Sequence, residues 1–162
     1  MESVGFDNQE KLGTVEGKIR AIATSLGPDV VYKFCNWAQA NIELDGVDSP
    51  TIVYVLPPSG TLNFRHNQVK DKPNTQIAFV CSTEFDFKGT ENDGIIEAMK
   101  RLAIRFVKKF NESGLFETLE GDIPYQVLYD HLDQNVTGII LNLILNEEEG
   151  VCICADEVRY NR

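Results

Sequence analysis

Apolar side chains recur at helical spacing in two separate parts of the chain. The first part follows Thr14, a residue type that commonly caps a helix, and closes at Gly27-Pro28. Its apolar positions are Val15, Ile19, Ile22 and Leu26. The second part begins at Thr90 or Asn92, and its apolar positions are Ile95, Ile96, Met99, Leu102, Ala103, Phe106, Val107 and Phe110. We therefore predict a short helix and a long amphipathic helix, each with one face against a core.

Runs rich in β-branched and apolar residues predict the strands. Residues 29–44 indicate a short strand followed by a helical turn at 37–41. A clearer strand at 51–56 is expected to stop at residues 57–60, and another begins near Leu62 and Phe64. The polar stretch 66–74 is interpreted as a turn before a third strand at 75–82. Further strands are predicted at 125–129 and 136–145, and residues 150–154 are expected to extend or pair with the latter.

The strand at 136–145 is apolar on both faces. One face is a core face made of Thr137, Ile139, Leu141, Leu143 and Leu145. The other face carries Val136, Ile140 and Ile144, interrupted by Gly138 and Asn142. Either a helix covers this second face, or it is an interface with another subunit, because exposed apolar patches usually mark contacts.

These elements predict one α+β domain over residues 1–162. Its mostly antiparallel sheet is expected to pack against helices on one face, with residues 1–13 as a flexible N-terminal arm. An apolar fraction of 43% suits a folded chain of this length.

Charge narrows the classes of partner. The chain has 15 basic and 25 acidic residues and a net charge of −10, which disfavours general binding to DNA or anionic membranes. Two local basic groups nevertheless stand out. One consists of Arg65, His66, Lys70 and Lys72, and the other, on the long helix, of Lys100, Arg101, Arg105, Lys108 and Lys109. Each group is either ordinary solvent-exposed surface or a patch that contacts an acidic patch on a neighbouring copy of the protein.

Candidate chemistry is sparse. The start of the chain lacks the pattern of a signal peptide, so we expect the four cysteines to be reduced thiols, and Cys152-x-Cys154 to be sheet residues. His131 and Asp133 could together act as a general base, but no nucleophile motif accompanies them. The carboxylate groups Glu117/Glu120/Asp122 and 147–149 are expected to be solvated loops. We predict no catalytic residues, no cofactor and no metal.

The order of the predicted elements resembles that of a known family. The elements that carry the resemblance are the strands around Ser49-Pro-Thr-Ile-Val-Tyr-Val-Leu-Pro-Pro-Ser-Gly60, the long amphipathic helix, and the strand that opens Asp133-Gln-Asn-Val-Thr-Gly-Ile-Ile-Leu141. Over residues 14–155 it is similar to head–tail joining and tail-terminator ring proteins of tailed bacteriophages, including the neck ring proteins of crAss-like phages of gut Bacteroidetes.

The resemblance implies a tail-terminator-like fold and a virion protein, made in the host cytoplasm, that forms a ring of six or twelve copies at the portal–tail junction. Its partners would be itself and the portal or other neck and tail proteins. DNA would pass through the lumen without specific binding, and no membrane would be involved. The subunit contact would be head-to-tail, through the strand at 136–145 or the segment 63–74.

Two alternatives remain open. The first is a small cytosolic enzyme or ligand-binding domain that uses His131, Asp133 or the cysteines, and the second is a regulator or antitoxin-like module with one partner.

Overall fold

Three helices and six strands form the α+β fold of this chain, whose computed structural model describes residues 13–44, 49–82, 90–131 and 136–152. In chain order they are α1 (Val15–Thr24), β1 (Val31–Cys35), α2 (Trp37–Glu43), β2 (Thr51–Arg65), β3 (Gln68–Ser82), α3 (Thr90–Ser113), β4 (Tyr125–His131), β5 (Val136–Ile144) and β6 (Val151–Cys152). Three predicted features lie outside the described residues: Asp133, Cys154, and residues 1–12 of the N-terminal segment predicted to be flexible.

The six strands form a single mixed sheet, in which five follow the order β1-β2-β3-β5-β4 and the sixth, β6, pairs with β3. β1 runs parallel to β2, and the other pairings are antiparallel, so the prediction of a mostly antiparallel α+β fold is confirmed. The prediction that residues 150–154 extend or pair with the strand at 136–145 is wrong for the described residues of that segment, 150–152. β6 instead pairs with the start of β3, where Gln68 meets Cys152 and Val69 meets Val151.

β2 and β3 form a hairpin that is much longer than the sequence pattern predicts. Pro57-Pro58 does not end the strand, because the register shifts between Val55 and Ser59 and absorbs the two residues that have no N–H to donate. Residues 66–74 are likewise not a long turn. The turn is His66-Asn67 alone, and His66 adopts the left-handed backbone that such a tight reversal requires, with φ of 54°.

Local signals explain the first helix. The Thr14 side chain accepts a hydrogen bond from the Gly17 N–H at 2.9 Å, which satisfies one of the unpaired donors of the first turn. At the other end Gly27 takes φ of 127°, a conformation that favours glycine. The predicted start and stop of α1 are therefore confirmed.

α1 and α3 cover one face of the sheet, as the two apolar stripes predict. Phe79 of β3 packs edge-on against Phe106 of α3, with ring centroids 5.5 Å apart. Phe110 then stacks on Phe116 at 4.7 Å, which carries the same core beyond the end of the helix. Ile139, Leu141, Leu143 and Leu145 lie in this cluster, so their assignment to a core face is confirmed.

The prediction that helices cover only one face is wrong. α2 packs on the opposite face, where Ala40 and the adjacent Leu44 bury Val136 and Ile140. These two side chains are almost fully buried within the chain, so they present no surface to a neighbouring subunit. Ile144, the third residue proposed for that interface, is 69% exposed, because β5 ends there beyond the reach of this cluster.

Gly138 generates a prediction about the middle of the sheet. A Cβ atom at this position would overlap the carbonyl oxygen of Phe79 and lie 2.9 Å from the Val80 Cα. We expect Gly138→Ala to lower the free energy of unfolding by about 1–3 kcal/mol, the usual cost of forcing an extra carbon into a packed site. Urea denaturation measures this loss.

Gly94→Ala is the matched control for that experiment. Gly94 lies in α3 with open space where a Cβ would be, so alanine should leave stability unchanged or raise it by up to ~1 kcal/mol. Equal effects of the two substitutions would contradict the steric account.

Candidate functional site

The first basic group lies on the part of the hairpin that extends past the bulge, residues 59–74, which we call the arm. Cross-strand pairs on an antiparallel hairpin share a face, and here Thr61 meets Lys72, Asn63 meets Lys70 and Arg65 meets Gln68. Arg65, Lys70 and Lys72 are therefore on one face of the arm, which we call its basic face. His66 occupies the turn at the tip.

The other face of the arm carries exposed apolar side chains. Leu62 pairs with Asp71, and Phe64 pairs with Val69, so these residues share the face opposite the lysines. Leu62 is 62% exposed and Phe64 is 71% exposed. Both are exposed because the core cluster under α1 and α3 takes its buried β2 and β3 side chains from residues 52–54 and 77–79, so this helix layer does not extend over the arm.

The basic side chains of the second group, on α3, make different contacts. Lys100 donates a hydrogen bond to Glu97 at 2.9 Å, which is the main cause of the raised pKa of Lys100, and its ammonium lies 5.2 Å from the Tyr125 ring centroid. Arg105 donates to the Leu26 carbonyl at the end of α1, at 3.0 Å. Lys109 lies 3.9 Å from Glu112. Arg101 and Lys108 are exposed. Arg101, Arg105 and Lys108 stand at i, i+4 and i+7 and share one exposed face of α3, whereas Lys100 lies at the groove described next.

An open apolar groove runs between α3 and the β4 edge of the sheet. Its volume is about 310 Å³, and it is lined by Lys100, Ala103, Ile104, Val107, Ile123, Tyr125, Ile139 and Leu141. Ile104, on the helix wall, is 68% exposed. The apolar stripe predicted for α3 did not include Ile104. Helical spacing alone places this residue at the border between the core-facing side and the solvent-facing side, so the sequence held a signal for it.

An acidic loop leads into the groove. Glu117, Glu120 and Asp122 are exposed, as predicted, and Asp122 directly precedes Ile123 of the groove wall. The other carboxylate group, residues 147–149, is predicted to be solvated, and this prediction is wrong for Glu147. That side chain is buried, because a lysine distant in sequence reaches it.

Lys18 and Glu147 form a buried ion pair beside the arm. The Lys18 ammonium lies 2.6 Å from Glu147 Oε2 and also donates to the Glu149 carbonyl at 3.3 Å. Glu147 Oε1 accepts the backbone N–H of Asp71 at 2.9 Å. One carboxylate thus connects α1, the arm and the segment that follows β5.

Two residues of the enzyme alternative have described side chains, Cys35 and Cys81, and these two lie on opposite faces of the sheet. Cys35 is a buried thiol in the core under α2, and Cys81 is a half-buried thiol packed against the core of the other face. His131 is the last residue of β4 and pairs with Val136. Neither cysteine is among the groove residues named above, and among described residues no three His, Cys, Asp or Glu side chains cluster to hold a metal ion.

No known protein family, curated protein or solved structure matches this chain. Among the described helices, none combines the length and apolarity needed to cross a membrane.

The buried pair predicts a large stability effect. Lys18→Met should lower the free energy of unfolding by about 3–5 kcal/mol, because it leaves the Glu147 carboxylate buried without its counter-charge. Adding Glu147→Gln to that variant should restore much of the loss, since the amide retains an acceptor for the Asp71 N–H. Chemical denaturation of both variants measures the difference. A loss below about 1 kcal/mol in the single variant would show that the pair is solvated.

Asp71 predicts a dependence of stability on pH. Burial, followed by the nearby Glu147 charge, raises the pKa of Asp71 above its ordinary value of 3.8. The folded chain therefore holds this proton more tightly than the unfolded chain, and the Asp71 contribution to stability falls as pH rises through and above 3.8. Relative to the wild type, Asp71→Asn should gain stability as pH rises toward neutral, measured by urea denaturation at a series of pH values. A difference that stays constant with pH would contradict this expectation.

Proposed function

We propose that this protein is a structural virion component of the neck or tail of a tailed bacteriophage, where copies of it form a ring around the DNA channel at the portal–tail junction. The proposal combines the resemblance in element order with the distribution of exposed apolar surface on the chain. It assigns the protein no catalytic role.

The observation that carries the proposal is the separation of two exposed apolar surfaces. Tyr125 in the groove wall belongs to a row of paired residues that crosses the sheet through Leu141 and Ile77 to Tyr54. Phe64 lies farther along the same strand as Tyr54, beyond the bulge. At ~3.3 Å per strand residue and ~4.8 Å between strands, the Phe64 and Tyr125 backbones are roughly 30 Å apart. A contact that joins such different surfaces is head-to-tail, which is the geometry that builds rings.

The charge distribution supports the same role. A net charge of −10 would let DNA pass a ring wall without adhering to it. The basic face of the arm is a local exception, and positive side chains of this kind suit contact with an acidic neighbouring protein. Arg65, His66, Lys70 and Lys72 therefore stay our predicted interface residues, together with the exposed Ile144.

The helix group contributes less to the proposed interface. Lys100 and Arg105 already have partners in their own subunit, whereas Arg101 and Lys108 are exposed and accessible to a neighbour. Val136 and Ile140 are removed from the interface, because α2 buries them.

The groove favours a second candidate function. Its volume of about 310 Å³ lies at the lower end of the range for small-molecule sites, and its walls are apolar apart from Lys100 and the Tyr125 hydroxyl. A domain that binds a small apolar ligand would present such a groove.

Electron microscopy tests the proposed function. Negatively stained, concentrated protein is expected to show closed rings, and an antibody against the chain is expected to label the neck of particles from cells that express it. Pre-immune antibody on the same particles is the control. Unlabelled particles would contradict the virion role. A monodisperse monomer that carries a small molecule would favour the ligand-binding function, and a stable 1:1 complex with another protein would favour the regulator.

A further inference from the structure

We propose that the apolar face of the arm of one subunit docks in the groove beside α3 of the next subunit. This inference rests on the proposed function, because it takes the ring as the assembly that the contact builds. It specifies which two surfaces meet and which side chains anchor them.

The arm supplies a projecting apolar surface. Leu62 and Phe64 stand two residues apart on one strand, so both side chains point to the same side of the arm. Both are more than half exposed, and an aromatic ring in particular gains from a pocket that removes it from water.

The arm is also held along its β3 strand, from its middle to near its tip. The Asp71 backbone is bonded to the buried Glu147 carboxylate, and β6 pairs with Gln68 and Val69 close to the tip. Restraint of the arm before binding reduces the entropy that docking would cost. The arm therefore has the properties of a preformed binding element.

The groove supplies the matching depression. Ile104, Val107 and Ile123 form its apolar walls, and Tyr125 stands at its edge with about half of its surface exposed. The separation of roughly 30 Å estimated from strand spacings means that an arm held along its β3 strand does not reach the groove of its own subunit. An arm that enters this groove must then belong to a second copy, and that is the occupant we infer.

Charge favours the same pairing. The basic face of the arm bears Arg65, Lys70 and Lys72, whereas the loop beside the groove bears Glu120 and Asp122. Because the basic face is opposite Leu62 and Phe64, these charges lie outside the apolar contact, where they attract the acidic loop as the arm approaches and disfavour wrong partners. Lys100, at the groove itself, is already paired with Glu97, so its charge is partly offset.

Two variants test the contact in a mixing experiment. Phe64→Asp breaks the arm and leaves the groove intact, whereas Ile104→Asp breaks the groove and leaves the arm intact. Each variant alone should lose self-association by about tenfold or more in Kd relative to the wild type, as is usual for a buried anchor. Their equimolar mixture should form a dimer and stop there, because it contains one intact arm–groove pair. Sedimentation velocity measures all three samples.

The controls separate docking from folding. Both positions are exposed, so far-UV circular dichroism and the Tm of each variant should match the wild type, and Phe64→Ser with Ile104→Ser serves as a milder pair if they do not. Leu56→Asp is the matched control, since it places a charge on an exposed apolar residue outside both surfaces and should associate like the wild type.

The outcomes also distinguish this inference from the proposed function. Wild-type association that survives both variants would overturn the arm–groove contact, while ring formation would then use other surfaces. Monomeric variants whose mixture stays monomeric would overturn it as well. A wild-type chain that is monomeric at every concentration would overturn the self-contact, and the antibody labelling of particles would still decide the virion role on its own.

Discussion

The structure depends on the burial of β3 from both sides. Its backbone pairs with β2 along one edge, and with β5 and then β6 along the other. Side chains alternate along it, so Ile77 and Phe79 meet α1 and α3, whereas Ala78 and Val80 meet the small cluster under α2. Neither face of a strand in this position tolerates a polar side chain without a partner, and each requires a helix. The two helical layers follow from this requirement, as does glycine at position 138 of β5, where the β3 backbone approaches too closely for a Cβ atom.

The outer half of the same hairpin has the opposite character. Beyond Asn74 the strand leaves its β5 partner. The arm that results is held in its middle by Glu147, which accepts from Asp71 and pairs with Lys18, and near its tip by β6. A buried ion pair contributes little net stability compared with an apolar substitute, yet it fixes one geometry, because each charge becomes costly when the other moves. The pair therefore serves best as a device that orients the arm relative to α1. A rigid, projecting and partly apolar element is useful to a protein whose role is contact with other proteins.

The proposed assembly role is consistent with both the buried and the exposed parts of the chain. α2 buries Val136 and Ile140, which removes one predicted interface, while the arm and the groove expose apolar surface elsewhere. Two different surfaces on one subunit lead to rings when the rotation between copies closes. The acidic net charge suits a channel wall, and the basic face of the arm suits an acidic neighbour.

The sequence by itself determined the helices α1 and α3, the strands of the sheet apart from the outer half of the β2–β3 hairpin, the core face of β5 and the α+β class, because periodicity and caps are local signals. It also located the basic residues of the arm. Only the tertiary structure decided how far the helix layer extends over the hairpin, and this sets the exposure of Leu62 and Phe64, whose alternation alone is compatible with burial. The continuation of β2 through Pro57-Pro58 also depends on its partner strand, which accommodates the bulge. Glu147 resembles its solvated neighbours in sequence, and it is buried because folding brings Lys18 to it from 129 residues away. Contacts between residues so distant in sequence leave no periodic signal, so the site beside the arm emerged only from the fold.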